Sequence, residues 1–233
     1  MSDPIPQEGV IKFRAVHQTR PLEERRYGEL VCKLIAWREI LGLTGLVGQE
    51  PGRYEGYGFG NVSARVGPPG AGRGRRAFLI TGTQTAGDRC VGLEQFALIE
   101  RYDYHRNRVE SHGCVEPSSE TMTHAALYDV SPAIRCVLHA HSPVVWRRAR
   151  ELRIPTTDAS IPYGTPEMAL AVQRLCDSTA LPEIRILAMG GHEDGIVVFG
   201  RTPEEAGGVL LKWLSRAYEA QCAADGLGLC RSP

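Results

Sequence analysis

Residues 134–143 read IRCVLHAHSP, and this run decides the fold class. Its apolar residues predict a strand. Side chains alternate along a strand, so His139 and His141 project from the same face, one pleat repeat apart. Two imidazoles held that close can ligate one metal ion. They lie at the polar end of an apolar run, where a strand leaves the core and a site can open. Taken alone, such a pair reads equally well as two surface histidines at a strand end.

Strand-like runs lie on either side of this segment in the sequence. FGNVSARV (59–66), RAFLITGTQT (76–85) and FALIERYD (96–103) precede it, and IRILAMGG (184–191) and GIVVFG (195–200) follow. Helical patterns alternate with them. PLEERRYGELVCKLIAWREILGL (21–43) carries Leu30, Val31, Leu34, Ile35 and Leu41 on one face, with Pro21 in the first turn and Gly42 as its stop. SSETMTHAALYDV (118–130) and SPVVWRRAREL (142–152) also read as helices. TPEMALAVQRLCDS (165–178) has Thr165 as cap and Pro166 at the first helical position. The last helix opens with Thr202 and Glu205 as a capping box, carries Leu210, Leu211, Leu214 and Tyr218 as its stripe, and stops at Gly226. Strands mixed with helices throughout predict one α/β domain with helices on both faces of a sheet. Residues 1–20 are expected to be an N-terminal extension, 21–226 the domain and 227–233 a tail.

The 233 residues suffice for one sizeable core. Lys+Arg 27 balance Asp+Glu 27, which disfavours a uniformly basic nucleic-acid or membrane-surface binder. The GPPGAGRGRR excursion (67–76) reads as a solvated loop whose arginines lack the interleaved aromatics of a single-strand binder. No run approaches the roughly 18 apolar residues of a membrane span. The start lacks the basic end and apolar run of a signal peptide. Seven scattered cysteines, with no CxxC, fit buried free thiols of a reduced compartment, so the chain is expected to be cytoplasmic.

A third histidine follows another apolar strand in ILAMGGHEDG (186–195), where two glycines let backbone come close to His192. Three imidazoles with no fourth protein ligand are the usual catalytic zinc arrangement, and no cysteine lies beside them to close a structural site. Glu193 and Asp194 read as groups that orient a metal ligand or as turn residues, with the turn role favoured for Asp194 before Gly195. Upstream, GCVEPSSETMTHAALY (113–128) places Glu120 in a first helical turn, with Ser118 and Ser119 beside free backbone N–H groups. Simple capping explains these residues alone; beside the histidine strand, an acid–base role for Glu120 competes. His124, one turn on, is expected to be structural. Gly60 and Asn61 in one loop, and Thr81, Gly82 and Thr83 in another, offer polar groups at strand ends. A dinucleotide fingerprint, a P-loop, HExxH and GxSxG are all absent from the sequence.

In order, GNVSAR, ITGTQT, EPSSETMTHAALY, VLHAHSP, YGTPEMA and GGHEDGIVVFG resemble the motifs of the class II aldolase/adducin family over nearly the whole chain. The resemblance implies a three-layer α/β/α sandwich around a largely antiparallel sheet. It implies His139, His141 and His192 as ligands of a divalent metal, normally zinc, and Glu120 as acid/base. Gly60, Asn61, Thr81, Gly82, Ser118 and Ser119 match positions that hold a substrate phosphate, and Tyr163, in a segment that borders the site, is expected to be catalytic with Glu120. It also implies a homotetramer acting on a small-molecule substrate. The expected reaction is lyase cleavage of a C–C bond in a hydroxy-carbonyl compound through a metal-stabilised enediolate. A carboxyl partly buried at Glu120 is expected to have a raised pKa.

The sequence departs from sugar-phosphate aldolases at Glu193, Asp194, the TGTQT loop and the Arg73–Arg76 excursion. An extra acid near the metal would repel a dianion, so a carboxylate or neutral sugar is open beside a sugar phosphate. Epimerases, dehydratases and decarboxylases share the scaffold. An adducin-like binding module is disfavoured because all three histidines and Glu120 are present. A non-haem iron oxygenase is disfavoured because its usual triad contains a carboxylate.

Overall fold

The apolar runs pair as their alternation requires. The computed structural model describes residues 10–88 and 90–226. The expected tail 227–233, residues 1–9 of the expected extension and Cys230 lie outside the described residues.

The chain order is β1 (Arg14–Thr19), α1 (Glu24–Leu43), β2 (Gly48–Gln49), β3 (Gly58–Phe59), β4 (Asn61–Arg65), β5 (Phe78–Thr81), β6 (Phe96–Asp103) and β7 (Arg108–Gly113). It continues through α2 (Thr121–Val130), β8 (Cys136–His141), α3 (Pro143–Arg147), α4 (Pro166–Ser178), α5 (Leu181–Ile184), β9 (Ile186–Ala188), β10 (Gly195–Gly200) and α6 (Pro203–Ala224). Eight strands form one sheet in the order β1-β7-β6-β5-β4-β8-β10-β9. Every pairing in it is antiparallel except β1 with β7. β2 and β3 form a separate two-stranded ribbon.

Both sheet faces are covered, which explains why β4, β8 and β10 are buried along their whole length. Leu138 and Ala140 of β8 join Val62, Ala64, Ile196 and Val198 against Leu34 and Leu41 of α1 and Leu210 and Trp213 of α6. Val137 points the other way, with Ile80, Val197 and Phe199, against Met122 and Leu127 of α2 and Met168 and Val172 of α4. Each fully buried side chain of this size stabilises the sandwich by about 1.5–3 kcal/mol. Strand alternation places His139 and His141 on the α2/α4 face.

Several boundaries differ from the sequence reading. Arg14–Thr19, inside the expected extension, pair along β7 as an edge strand. β7 itself carries no clean alternation, and it adds the strand to which β1 is joined. α1 starts at Glu24 with Glu23 at the cap, so Pro21 precedes the helix, and Gly42 lies within it. The expected helix 142–152 is regular only over Pro143–Arg147. Thr165 and Thr202 cap α4 and α6 by accepting from Met168 and Glu205 N–H. The Glu205 carboxylate accepts from the Arg201 N–H at 2.6 Å, outside the helix, so the capping box is half formed.

Arg76 is not solvated. It donates to the Tyr128 carbonyl and lies 3.9 Å from the buried Asp129 carboxylate. Asp129 also accepts from Tyr102 and Tyr104 hydroxyls at 2.7 and 2.9 Å and from the Gly74 N–H. That buried acid ties the 67–76 excursion to α2.

Candidate metal centre

Four strand ends meet at one end of the sheet: the start of β4, the ends of β5 and β8, and the start of β10. The β8 register sets Asn61 opposite His139 on one side and Val197 opposite His139 on the other. His192 reaches the same place from the β9–β10 turn. That turn packs tightly: a Cβ on Gly190 would lie 2.2 Å from the Thr157 carbonyl, and one on Gly191 2.0 Å from the Ile161 carbonyl. Only glycines let the backbone lie there, as the sequence reading anticipated.

His139, His141 and His192 are buried, and each offers a ring nitrogen within 4.8 Å of the others. The Nε2 atoms of His139 and His141 are 3.2 Å apart. Two ligands at about 2.0–2.1 Å on tetrahedral zinc would be about 3.3–3.4 Å apart, so this spacing fits a shared cation. His139 Nδ1 faces the Ile196 carbonyl at 3.1 Å. Donating there places the proton on Nδ1 and leaves the Nε2 lone pair for a metal. Burial, then the charges of His192 and His139, push His141 well below the ordinary imidazole range, keeping it in the neutral ligand form. Imidazole donors with no thiolate suit zinc and its first-row neighbours.

Glu120 is 1% exposed, at the cap of α2 rather than in its first turn. Its Oε1 lies 3.5 Å from His192 Nδ1, and its Oε2 accepts from the Thr123 hydroxyl at 2.6 Å. Burial alone would raise this carboxyl. The His192 contact, the His139 charge and the Thr123 hydroxyl outweigh burial and hold it at about 2. The expected upward shift is therefore reversed, chiefly by the contact with His192.

The six expected phosphate positions do gather here. Gly60 precedes β4 at φ 77°, Thr81 ends β5, and Gly82 bridges Pro117 just before Ser118 and Ser119. Their hydrogen-bonding groups are partly committed. Thr81 Oγ1 accepts from Val62 N–H, Ser118 Oγ from Glu120 N–H, and the Gly82 and Ser118 amides donate to Gln95 and Thr81 carbonyls. Asn61 Oδ1 is buried with no partner. Tyr163 lies 4.5 Å from the His192 ring, and Lys12 Nζ lies 3.6 Å from the Tyr163 ring centroid. His124 is structural, its Nδ1 2.7 Å from Ser63 Oγ.

Sequence reasoning missed two neighbours and favoured only a turn role for a third. Tyr54 sets its ring edge-on to His141 at 4.5 Å, and Phe59 tilts against His141 at 5.5 Å. Asp194 is no ordinary turn residue. It is buried at φ 60° and accepts from the Tyr54 hydroxyl at 2.8 Å. The aromatic content of 54–59 was visible, but nothing in the sequence brings it across to residue 194. Glu193, by contrast, is exposed.

An eight-stranded, largely antiparallel sheet between two helical layers, with a histidine cluster at one sheet end, defines a class II aldolase-like protein. The sequence gives the family directly. The profile of the Class II Aldolase and Adducin N-terminal domain matches residues 52–221, and the chain belongs to that family. A search of curated proteins by sequence finds no match. Among solved structures, an L-fuculose 1-phosphate aldolase superposes with a TM-score of 0.60 at 18% identity, covering 88% of this chain and 91% of that one. The L-fuculose-1-phosphate aldolase of Thermus thermophilus gives 0.59 at 19%, over 88% of this chain and 100% of that one. YgbL from Klebsiella pneumoniae, a candidate aldolase/epimerase/decarboxylase, gives 0.60 at 18%, over 82% and 88%. At these identities the likeness is one of fold. No helix among the described residues is long and apolar enough to cross a membrane.

Proposed function

We propose that the chain is a metal-dependent lyase that breaks a C–C bond in a small hydroxy-carbonyl compound. The observation that carries this reading is the convergence of three buried imidazoles beside an ionised buried carboxylate. His139, His141 and His192 would hold a divalent cation, zinc by family resemblance. Such an ion supplies Lewis-acid stabilisation of negative charge developing on a carbonyl and its neighbouring hydroxyl.

The chain's own groups do the rest. Glu120, ionised and anchored by Thr123, accepts a proton from a substrate hydroxyl or carbon and returns it. Its placement at the start of α2 fixes the carboxylate before the substrate arrives, so little reorganisation accompanies transfer. Tyr163 forms the wall next to His192, with Lys12 against its ring. Gly60, Asn61, Thr81, Gly82, Ser118 and Ser119 supply polar groups at the same sheet end. Two of their amides already donate elsewhere, and none of the six carries a positive charge. That favours a neutral or singly charged substrate over a phosphate dianion. We include in the proposal a homotetramer, by family resemblance, and a cytoplasmic setting, which suits the six free cysteines among the described residues.

The test is metal analysis of protein purified without chelators, followed by a screen of paired sugars, sugar phosphates and hydroxy acids. The expected result is one divalent ion per chain and aldol cleavage that stops on chelation. Turnover that only inverts, dehydrates or decarboxylates the substrate would replace the lyase with one of those reactions. Full activity after complete metal removal would overturn the proposal.

A further inference from the structure

A substrate has to reach His139, His141 and His192, yet these are at most 4% exposed. One wall over them is the strap of residues 50–57, which joins β2 to β3. Tyr54, Glu55 and Gly56 follow one another at φ 48°, 58° and 79°. The left-handed region suits glycine, so two consecutive other residues there store strain in the bend. The strap's other hydrogen bonds stay local. Arg53 N–H donates to Glu50, Gly56 N–H to Arg53 and Tyr57 N–H to Tyr54, while Arg53 Nη1 reaches the nearby Gly45 carbonyl. Among the described residues, the Tyr54 hydroxyl to Asp194 Oδ2, at 2.8 Å, is the one hydrogen bond from the strap to the far wall. The same tyrosine presses its ring edge against His141.

We propose that this strap is a gate over the metal centre, and that Tyr54 is the access-controlling residue with Asp194 as its latch. Closed, the tyrosine covers His141 and excludes water. Opening breaks one charge-assisted hydrogen bond and the edge-to-face contacts of Tyr54 with His141 and Phe59, and the strain in the bend favours that movement. Asp194 serves the gate, which gives a role to a buried acid that has no part in the proton transfers assigned to Glu120. The inference rests on the reading that the histidines hold a divalent cation.

The test uses the full chain loaded with Co2+. One measurement follows uptake of Co2+ by the metal-free protein, and a second follows its transfer to excess chelator. A gate changes the barrier and leaves the end states alone. Tyr54→Phe keeps the ring and removes the latch hydroxyl, so uptake and release should each quicken by about ten- to a hundredfold, the typical worth of a hydrogen bond to a charged group. The dissociation constant and the visible Co2+ spectrum should stay the same. Asp194→Asn should give a smaller increase in both rates. Hydrogen exchange should quicken in the 50–57 strap of Tyr54→Phe and not in β8. Equal rates in parent and variant would overturn the gate, and so would a changed spectrum or affinity, which would make Tyr54 a support of the ligand ring. A parent chain that binds no Co2+ would overturn the metal reading beneath it.

Discussion

Glu120 and His124 stand one helical turn apart, both buried, and the fold pushes both pKa values downward. For Glu120 that means a carboxylate ready to accept a proton. Glu120→Gln should retain metal, read by elemental analysis, and lose about 10²–10⁴ of turnover. His139→Ala should lose the metal itself. His124 is held neutral, at about 3, by burial and then by the His139 charge, against 6.5 when exposed. The unfolded chain therefore binds a proton between those values and the folded one does not. The stabilisation is complete above about 6.5 and is lost as pH falls toward 3, on the order of a few kcal/mol. In metal-free protein, His124→Gln should show a shallower fall of Tm between pH 6.5 and 4 than its parent; an equal slope would remove His124 from the account. The positions of the clustered histidines and of Glu120 were legible because a strand's two-residue period and a helix start are local signals. Tyr54 and Asp194 were not, because an acid before glycine looks the same in any turn until its distant partner is known.

The glycines show how elements hold the site. Gly191 packs against the Ile161 backbone, which has no freedom to yield, and it carries His192. Gly207 of α6 lies where a Cβ would meet the Trp37 ring of α1 at 2.1 Å, on the opposite helical layer. Both Gly191→Ala and Gly207→Ala should destabilise the chain by about 1–3 kcal/mol in denaturant unfolding. Only Gly191→Ala should also weaken metal binding, measured by competition with a chelator. Equal metal affinity in both variants would show that the turn does not set His192. Long elements with caps, α4 and α6, could be read from the sequence, because Thr-Pro starts and apolar stripes act within one helix. β1 and β7 escaped because RAVHQT and RVESHG are partly exposed toward the sheet edge and carry no strict alternation.

Across the whole molecule, the sandwich architecture was readable because β8 and β10 are apolar on both faces and helices separate them. Strand order was not readable, since pairing β4 beside β8 depends on contacts far apart in the chain. The histidine cluster assembles only in the folded sheet, so a cation bound there stabilises the whole chain. At a free concentration of 100 times the dissociation constant this adds about 2.7 kcal/mol, which for a domain of this size raises Tm by about 5–10 °C. Differential scanning of chelated and Zn2+-supplemented protein should show that rise, and His139→Ala should abolish it. A parent chain whose Tm ignores zinc would contradict the assigned ligands.

His139 turns Nε2 toward His141 while its Nδ1 faces Ile196 on the neighbouring strand. If His139 holds a cation, its liganding and the β-ladder register are a single geometric fact. A chain that paired these strands one residue out of step would aim that lone pair elsewhere and forfeit the ion, so the cation rewards correct assembly alone. Metal capture would then act as quality control on topology, trapping well-built sheets and leaving misthreaded ones to unfold.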